Sequence, residues 1–373
     1  MSTRPPAGGD RSEGDAVDVE GTGTTGERPA VRLVEFLGAH FGPAHRVAFE
    51  MCRQDLRDGR RLTHLAQYTG GVCDFTLDLT GDPTGDPASY RPLETYQDAG
   101  RNIAHDMADL DEELQPVQSG DLIRLVLQAD QATIFSFSVL RNRFLVGLVP
   151  TPPADSGRSL APQVPVVRAA DVAISELANR LRGSVSQRPT DYGGWLWLGE
   201  RYLAEGYTSH LVHQSLPSQP EEPVQSPPEE PAQSPSAGPD DDVQRQLERC
   251  RRALDVEDLH FVAICRHGTV SLSVDLLDDD RLSPFFGAIT VEQRRRFYHG
   301  FGTRVEARLR ALLRSVYPAI GRRLSRAVFD VEQGALYCYP LGPGEYLLGV
   351  TLDQNRVGLA DDKAARLARD LRG

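Results

Sequence analysis

Two stretches of this chain repeat one another, and the repeat limits the fold more than any other feature of the sequence. Leu122 to Pro150 lies over Leu324 to Leu352 without a gap, at an offset of 202 residues. Leu122, Arg124, Val126, Gln131, Leu145 and Gly147 meet the same residue types at Leu324, Arg326, Val328, Gln333, Leu347 and Gly349. Phe135, Phe137 and Phe144 meet Tyr337, Tyr339 and Tyr346. A second match places Ala170 to Gly183 over Ala360 to Gly373 at an offset of 190, so the first copy carries 12 extra residues between the two matches. They fall in Thr151 to Arg168, a Pro- and Ser-rich stretch that reads as an enlarged loop. Self-similarity of this kind implies two copies of one folding unit.

The pattern within each copy gives the order of elements. In the second copy, Val243, Leu247, Cys250 and Leu254 recur at helical spacing. Leu259 to Cys265 and Val270 to Leu276 read as strands joined by a turn at Arg266 to Thr269. Thr290 and Gln293 form a capping box, and the helix they open is expected to end before Pro318. Three strands follow, at Leu324–Val331, Ala335–Pro340 and Tyr346–Leu352, and a helix from Leu359 to Leu371 closes the copy. The first copy is expected to open with a helix at Val31 to His40 and strands at Arg46 to Cys52 and Gly71 to Leu79. Its central helix carries Leu93, Tyr96, Gly100, Ile103, Met107, Leu110 and Leu114, and Pro116 stops it. Three strands and a last helix, Asp171 to Arg182, complete it. Each copy therefore reads α-β-β-α-β-β-β-α. The fold class is α+β, with two tandem domains that each pack helices on an antiparallel five-stranded sheet.

Composition sets the boundaries. Residues 1–30 hold too few large apolar side chains to offset the entropy of ordering, and read as a disordered tail. The domains are then 31–183 and 242–373. Between them lie an aromatic-rich extension, 184–216, and a Pro/Glu-rich linker, 217–241. Within the linker, Glu221 to Pro227 returns almost unchanged as Glu229 to Pro235, a pattern that favours extended polyproline II. A net charge of -12 argues against nucleic acid as the main partner. The run Arg294-Arg295-Arg296 reads as a solvated helix face. No apolar run approaches the ~18 residues that would span a bilayer. With no apolar signal segment after Met1, a cytoplasmic location is expected.

The order of elements, with its long central helix and closing three-strand meander, resembles the roadblock/longin-like superfamily. The residues that carry the likeness are Phe329 to Tyr337 and Glu345 to Val350, leading into the last helix near Asn355 to Leu359. It covers 242–373 and, through the repeat, 31–183. The resemblance implies a non-catalytic platform whose units pair through helices or sheet edges and whose partner is often a small Ras-like GTPase. A chaperone-like adaptor of the type III secretion kind is the alternative it leaves, with a different strand order.

Candidate chemistry is sparse. Gly21 to Gly26 matches a dinucleotide-binding spacing but has no strand before it. The single lysine, Lys363, precedes Ala364, so no phosphate loop is present. His210 and His213 lack a carboxylate or thiol to complete a metal site. Cys265 and His267 read as a buried thiol beside a turn, and Asp278-Asp279-Asp280 as a solvated acidic loop. The five cysteines form no Cys-x-x-Cys pair. No catalytic residue, cofactor or metal is expected. The candidate partner-binding residues are Tyr192, Trp195, Trp197 and Tyr202, since Trp and Tyr are enriched at interface hot spots.

Overall fold

A computed structural model describes residues 32–58, 62–80, 93–150, 164–194 and 239–372. The N-terminal tail, Trp195, Trp197 and Tyr202, the two histidines His210 and His213, and most of the linker lie outside them. The described residues form six α-helices and eleven strands, and every described strand pairing is antiparallel. They divide into two compact units.

Unit 1 comprises residues up to His105, Gln131–Gln187 and Val316–Gly321. Its strands are β1 (Arg32–Leu37), β2 (His64–Thr69), β3 (Val72–Thr80), β5 (Ala132–Leu140) and β6 (Arg143–Pro150). They pair in the order β1-β3-β2-β6-β5. Helix α1 (Pro43–Arg57) packs on β3, and α3 (Val164–Ser184) packs on β5 and against α1. The first part of α2 (Leu93–Leu114) also belongs here, where Tyr68 Oη donates to the Gln97 carbonyl at 2.9 Å.

Two expectations fail in this unit, and one strand was not foreseen. Val31 to His40 is not a helix; it is β1, paired along β3 from Arg32↔Thr80 to Leu37↔Phe75. Arg46 to Cys52 is not a strand; it lies inside α1. Val47, Phe49 and Met51 mimic strand alternation, but the buried side chains Phe49, Cys52 and Leu56 follow the helical period, and Pro43 sits where a helix tolerates it. Strand β2 lies in the gap between the two expected strands.

Unit 2 comprises Asp106–Asp130, Arg188–Ser315 and Arg322–Gly373. It holds β4 (Leu122–Ala129), β7 (Phe261–Arg266), β8 (Thr269–Asp275), β9 (Leu324–Val331), β10 (Gly334–Gly342) and β11 (Glu345–Thr351). They pair in the order β4-β9-β10-β11-β7-β8. Helices α4 (Pro239–Ala253) and α6 (Val357–Leu371) pack together, and α6 also covers β10 and β11. The long helix α5 (Val291–Ile320) contributes its residues through Ser315 to this unit, with Phe301 edge-on to Phe329 at 5.8 Å and Tyr298 against Phe261 at 5.2 Å. Its start is the expected capping box: Gln293 N–H donates to Thr290 Oγ1 at 3.2 Å and Thr290 N–H to Gln293 Oε1 at 3.1 Å. It runs through Pro318 to Ile320, where Gly321, at φ +99°, closes it by donating to the Tyr317 carbonyl. A proline this near the end disrupts only the last turn.

The strand orders of the units correspond. With β1 set aside, since the second copy has no described counterpart of it, reading β3-β2-β6-β5 in unit 1 and β8-β7-β11-β10 in unit 2 gives the second, first, fifth and fourth strand of each sequence copy. The remaining strand of the first copy, β4, belongs to unit 2, where it pairs with β9. Unit boundaries therefore do not follow the expected division at residues 183 and 242. Val126 stands opposite Val328, 202 residues away, which is the offset of the sequence match. Around that point Leu125 meets Phe329, Leu127 meets Ala327, Arg124 meets Asp330 and Gln128 meets Arg326. Repeat-related residues are thus exchanged about a centre, as in a self-complementary contact between two identical subunits.

Candidate functional site

The polar side chains of unit 1 concentrate where β2 meets β3. The pairing register slips between Gln67 and Tyr68, and the extra residue on β3 is Asp74. A bulge re-aims a side chain and releases it from the ladder. Strand β1 then covers this bulge: Gly38 N–H donates to the Asp74 carbonyl at 2.9 Å, and a Cβ on Gly38 would lie 2.2 Å from the Cys73 carbonyl oxygen. Asp74 is consequently 0% exposed.

Each Asp74 oxygen has its own partners. Oδ2 accepts from Gln67 Nε2 and Thr69 Oγ1, both at 2.7 Å. Oδ1 lies 2.7 Å from His40 Nε2 and 3.8 Å from His45 Nε2. His40 follows β1 directly, and His45 stands in the first turn of α1, where its Nδ1 accepts from Gly42 N–H at 3.1 Å. The imidazoles meet edge to face at 5.4 Å. These three side chains could hold a cation. Sequence reasoning missed them, and the only signal was the spacing of His40 and His45, with nothing to say that a residue 34 positions from His40 would join them.

A second buried pair occupies the other face of the hairpin. His64 Nδ1 lies 2.6 Å from Asp78 Oδ1, and Asp78 Oδ2 accepts from Thr76 Oγ1 at 3.1 Å. His64 Nε2 is buried without a hydrogen-bond partner, with the Tyr96 ring 5.6 Å away. A His–Asp pair of this kind could orient a base, yet among the described residues no hydroxyl or thiol hydrogen-bonds to Nε2.

Unit 2 builds the same hairpin with different chemistry. Its bulge falls at the equivalent place, between Ile264 and Cys265, and the extra residue is Ser271, which is exposed and donates to the Ile264 carbonyl. Phe261 replaces His64, and Asp275 stands opposite it as Asp78 stands opposite His64. Asp275 binds Arg295 through both oxygens at 2.8 Å.

The arginine run is therefore not a solvated face. Arg294 is 1% exposed, donates to the Val117 carbonyl at 3.1 Å and lies over the Phe286 ring at 5.1 Å. Burial pushes its pKa down. Arg296 alone of the three faces out, paired with Glu292. Beside it a groove of about 520 Å³ opens in unit 2. Gln118, Ile289, Gln293, Phe297 and Arg304 line it.

The other sequence candidates fall as follows. Burial pushes the Cys265 thiol up to about 12, while His267 sits on the turn with φ +48°. The acidic loop is bound to arginine: Asp279 holds Arg281 through both oxygens, which brings its carboxyl down to about 2, and Asp278 accepts from Arg295 at 2.6 Å. Tyr192, expected to face a partner, is 1% exposed inside unit 2. Its neighbour Gly193 donates to Asp330 Oδ2 at 2.7 Å, and Asp330 also accepts from buried Arg124 Nε at 2.9 Å. The segment thus ties to β9, and its ring is not offered to solvent. Among the described residues, no helix is long and apolar enough to cross a membrane. No family model matches the chain, and no curated protein matches it.

Proposed function

We propose that this chain is a non-catalytic protein-interaction platform of the roadblock/longin-like kind. Its two copies act as a dimer fused in one polypeptide, and it regulates or scaffolds a small Ras-like GTPase or related signalling NTPase. The observation that carries this reading is the β4–β9 seam, where Val126 and Val328 stand opposite one another at the offset of the repeat. A sheet edge that would recruit a second subunit is met by the second copy instead. The shared strand order and the shared bulge support the same relation between the copies. We assign the partner to the groove beside the first half of α5, where Phe297 supplies an aromatic anchor and Arg304 a rim charge.

The test is capture of the full chain's partner from lysate with GDP or with a non-hydrolysable GTP analogue, followed by mass spectrometry. Nucleotide-dependent capture of a GTPase is expected, and Phe297→Asp should abolish it. Nucleotide-independent capture of some other protein, with no GTPase, would move the assignment to a client-tethering adaptor.

A further inference from the structure

We propose that His40, His45 and Asp74 form a binding site for one divalent ion of the borderline class, with zinc as its representative. The two imidazole nitrogens and one carboxylate oxygen all lie within 4.8 Å of one another. In a tetrahedral zinc site, bonds of about 2.0–2.2 Å place neighbouring ligand atoms roughly 3.4 Å apart. The two distances to Asp74 Oδ1, 2.7 and 3.8 Å, fall on either side of that value. Small side-chain rotations would equalise them.

The surroundings are those of a built site. Gln67 and Thr69 hold Oδ2 and leave Oδ1 to the histidines, which is how an outer shell fixes a carboxylate in a one-oxygen mode. Asp74 is fully buried, yet no lysine or arginine pairs with it among the described residues. A buried carboxylate without a permanent counter-charge is unfavourable, and a bound cation would supply one. His40 is half exposed, so an ion has a way in and room for water or another ligand at its open positions. Two imidazoles and one carboxylate suit zinc and its neighbours better than calcium or magnesium, which prefer oxygen ligands throughout.

One contact opposes binding. Gly42 N–H donates to His45 Nδ1, so the neutral ring carries its proton on Nε2. Ligation through Nε2 moves that proton to Nδ1 and releases the Gly42 N–H to solvent. The ion would fasten three pieces of chain together: the loop after β1, the start of α1, and the β3 bulge. Unit 2 has an exposed Ser271 in the place of Asp74, and among the described residues no second cluster of this kind is found, so the expected stoichiometry is one ion per chain.

The test uses the full chain stripped with chelator, titrated with zinc by calorimetry, with bound metal counted by elemental analysis. Saturable uptake of one zinc per chain is expected. His40→Gln and His45→Gln should each weaken it at least tenfold, and His210→Gln with His213→Gln should leave it unchanged. His40 is surface-exposed, so its variant reports binding without loss of the fold. Absence of saturable uptake would overturn the proposal. So would uptake that survives the His40 and His45 substitutions, or that disappears with His210 and His213.

Discussion

The hairpin of unit 1 and the hairpin of unit 2 share a register, a bulge and an acidic residue opposite the first position of the strand, yet one is a buried polar cluster and the other is not. The difference traces to β1. In unit 1 this strand pairs along β3 and seals the bulge, so a carboxylate there must be satisfied from within, and Gln67, Thr69 and His40 do so. In unit 2 no described strand covers β8, and the exposed Ser271 needs only the Ile264 carbonyl for its hydroxyl. One added strand thus changes what chemistry the same backbone can hold, and it also delivers His40, which lies three residues beyond its end.

Four experiments test the two units against each other. The largest effect is expected at the seam. Asp330→Ala leaves the buried Arg124 guanidinium without its carboxylate and should cost about 3–5 kcal/mol in chemical denaturation. Importing the unit 2 residue into unit 1, Asp74→Ser, strands the donors of Gln67, Thr69 and His40 and should cost roughly 1–3 kcal/mol.

A smaller effect is expected from His260 in unit 2. Its Nδ1 accepts from Leu352 N–H at 2.9 Å and its Nε2 meets the Val256 carbonyl at 2.9 Å, so the neutral ring is satisfied. Burial pushes its pKa below the ordinary 6.5. The folded state then binds this proton less readily than the unfolded state, so its stabilisation is complete above pH 6.5 and is lost as pH falls through the lower folded value. Denaturation midpoints measured down the pH scale should decline there, and His260→Gln should flatten the decline. The reciprocal exchange, Ser271→Asp, puts a charge on an exposed strand and should change stability by less than ~0.5 kcal/mol. An effect as large as that of Asp74→Ser would mean that β1 is not the reason the hairpins differ.

Much of this was legible in the sequence. The meander strands declared themselves as short, largely apolar runs set off by turn residues, and α5 by its buried residues at helical spacing, and the gapless repeat gave the offset at which Val126 meets Val328. The opening of the first copy was misread for a physical reason. Val47, Phe49 and Met51 alternate by chance on a helix, and β1 has no counterpart in the second copy to guide the reading. The cluster at Asp74 was hidden because a bulge leaves no mark in composition and because Asp74 is far from His40 in the chain. Burial of Tyr192 was equally invisible, since a Tyr-Gly-Gly turn reads the same whether it meets solvent or a neighbouring strand.

The seam between β4 and β9 carries the functional reading, so it merits the most direct measurement. Val126→Cys with Val328→Cys places two thiols on directly opposed residues of neighbouring strands, within the range that a disulfide can bridge. After mild oxidation, peptide mapping of the monomeric chain should recover a single cross-link joining positions 126 and 328. Recovery only of cross-links between chains, or of none while the protein remains folded, would contradict a dimer fused within one polypeptide.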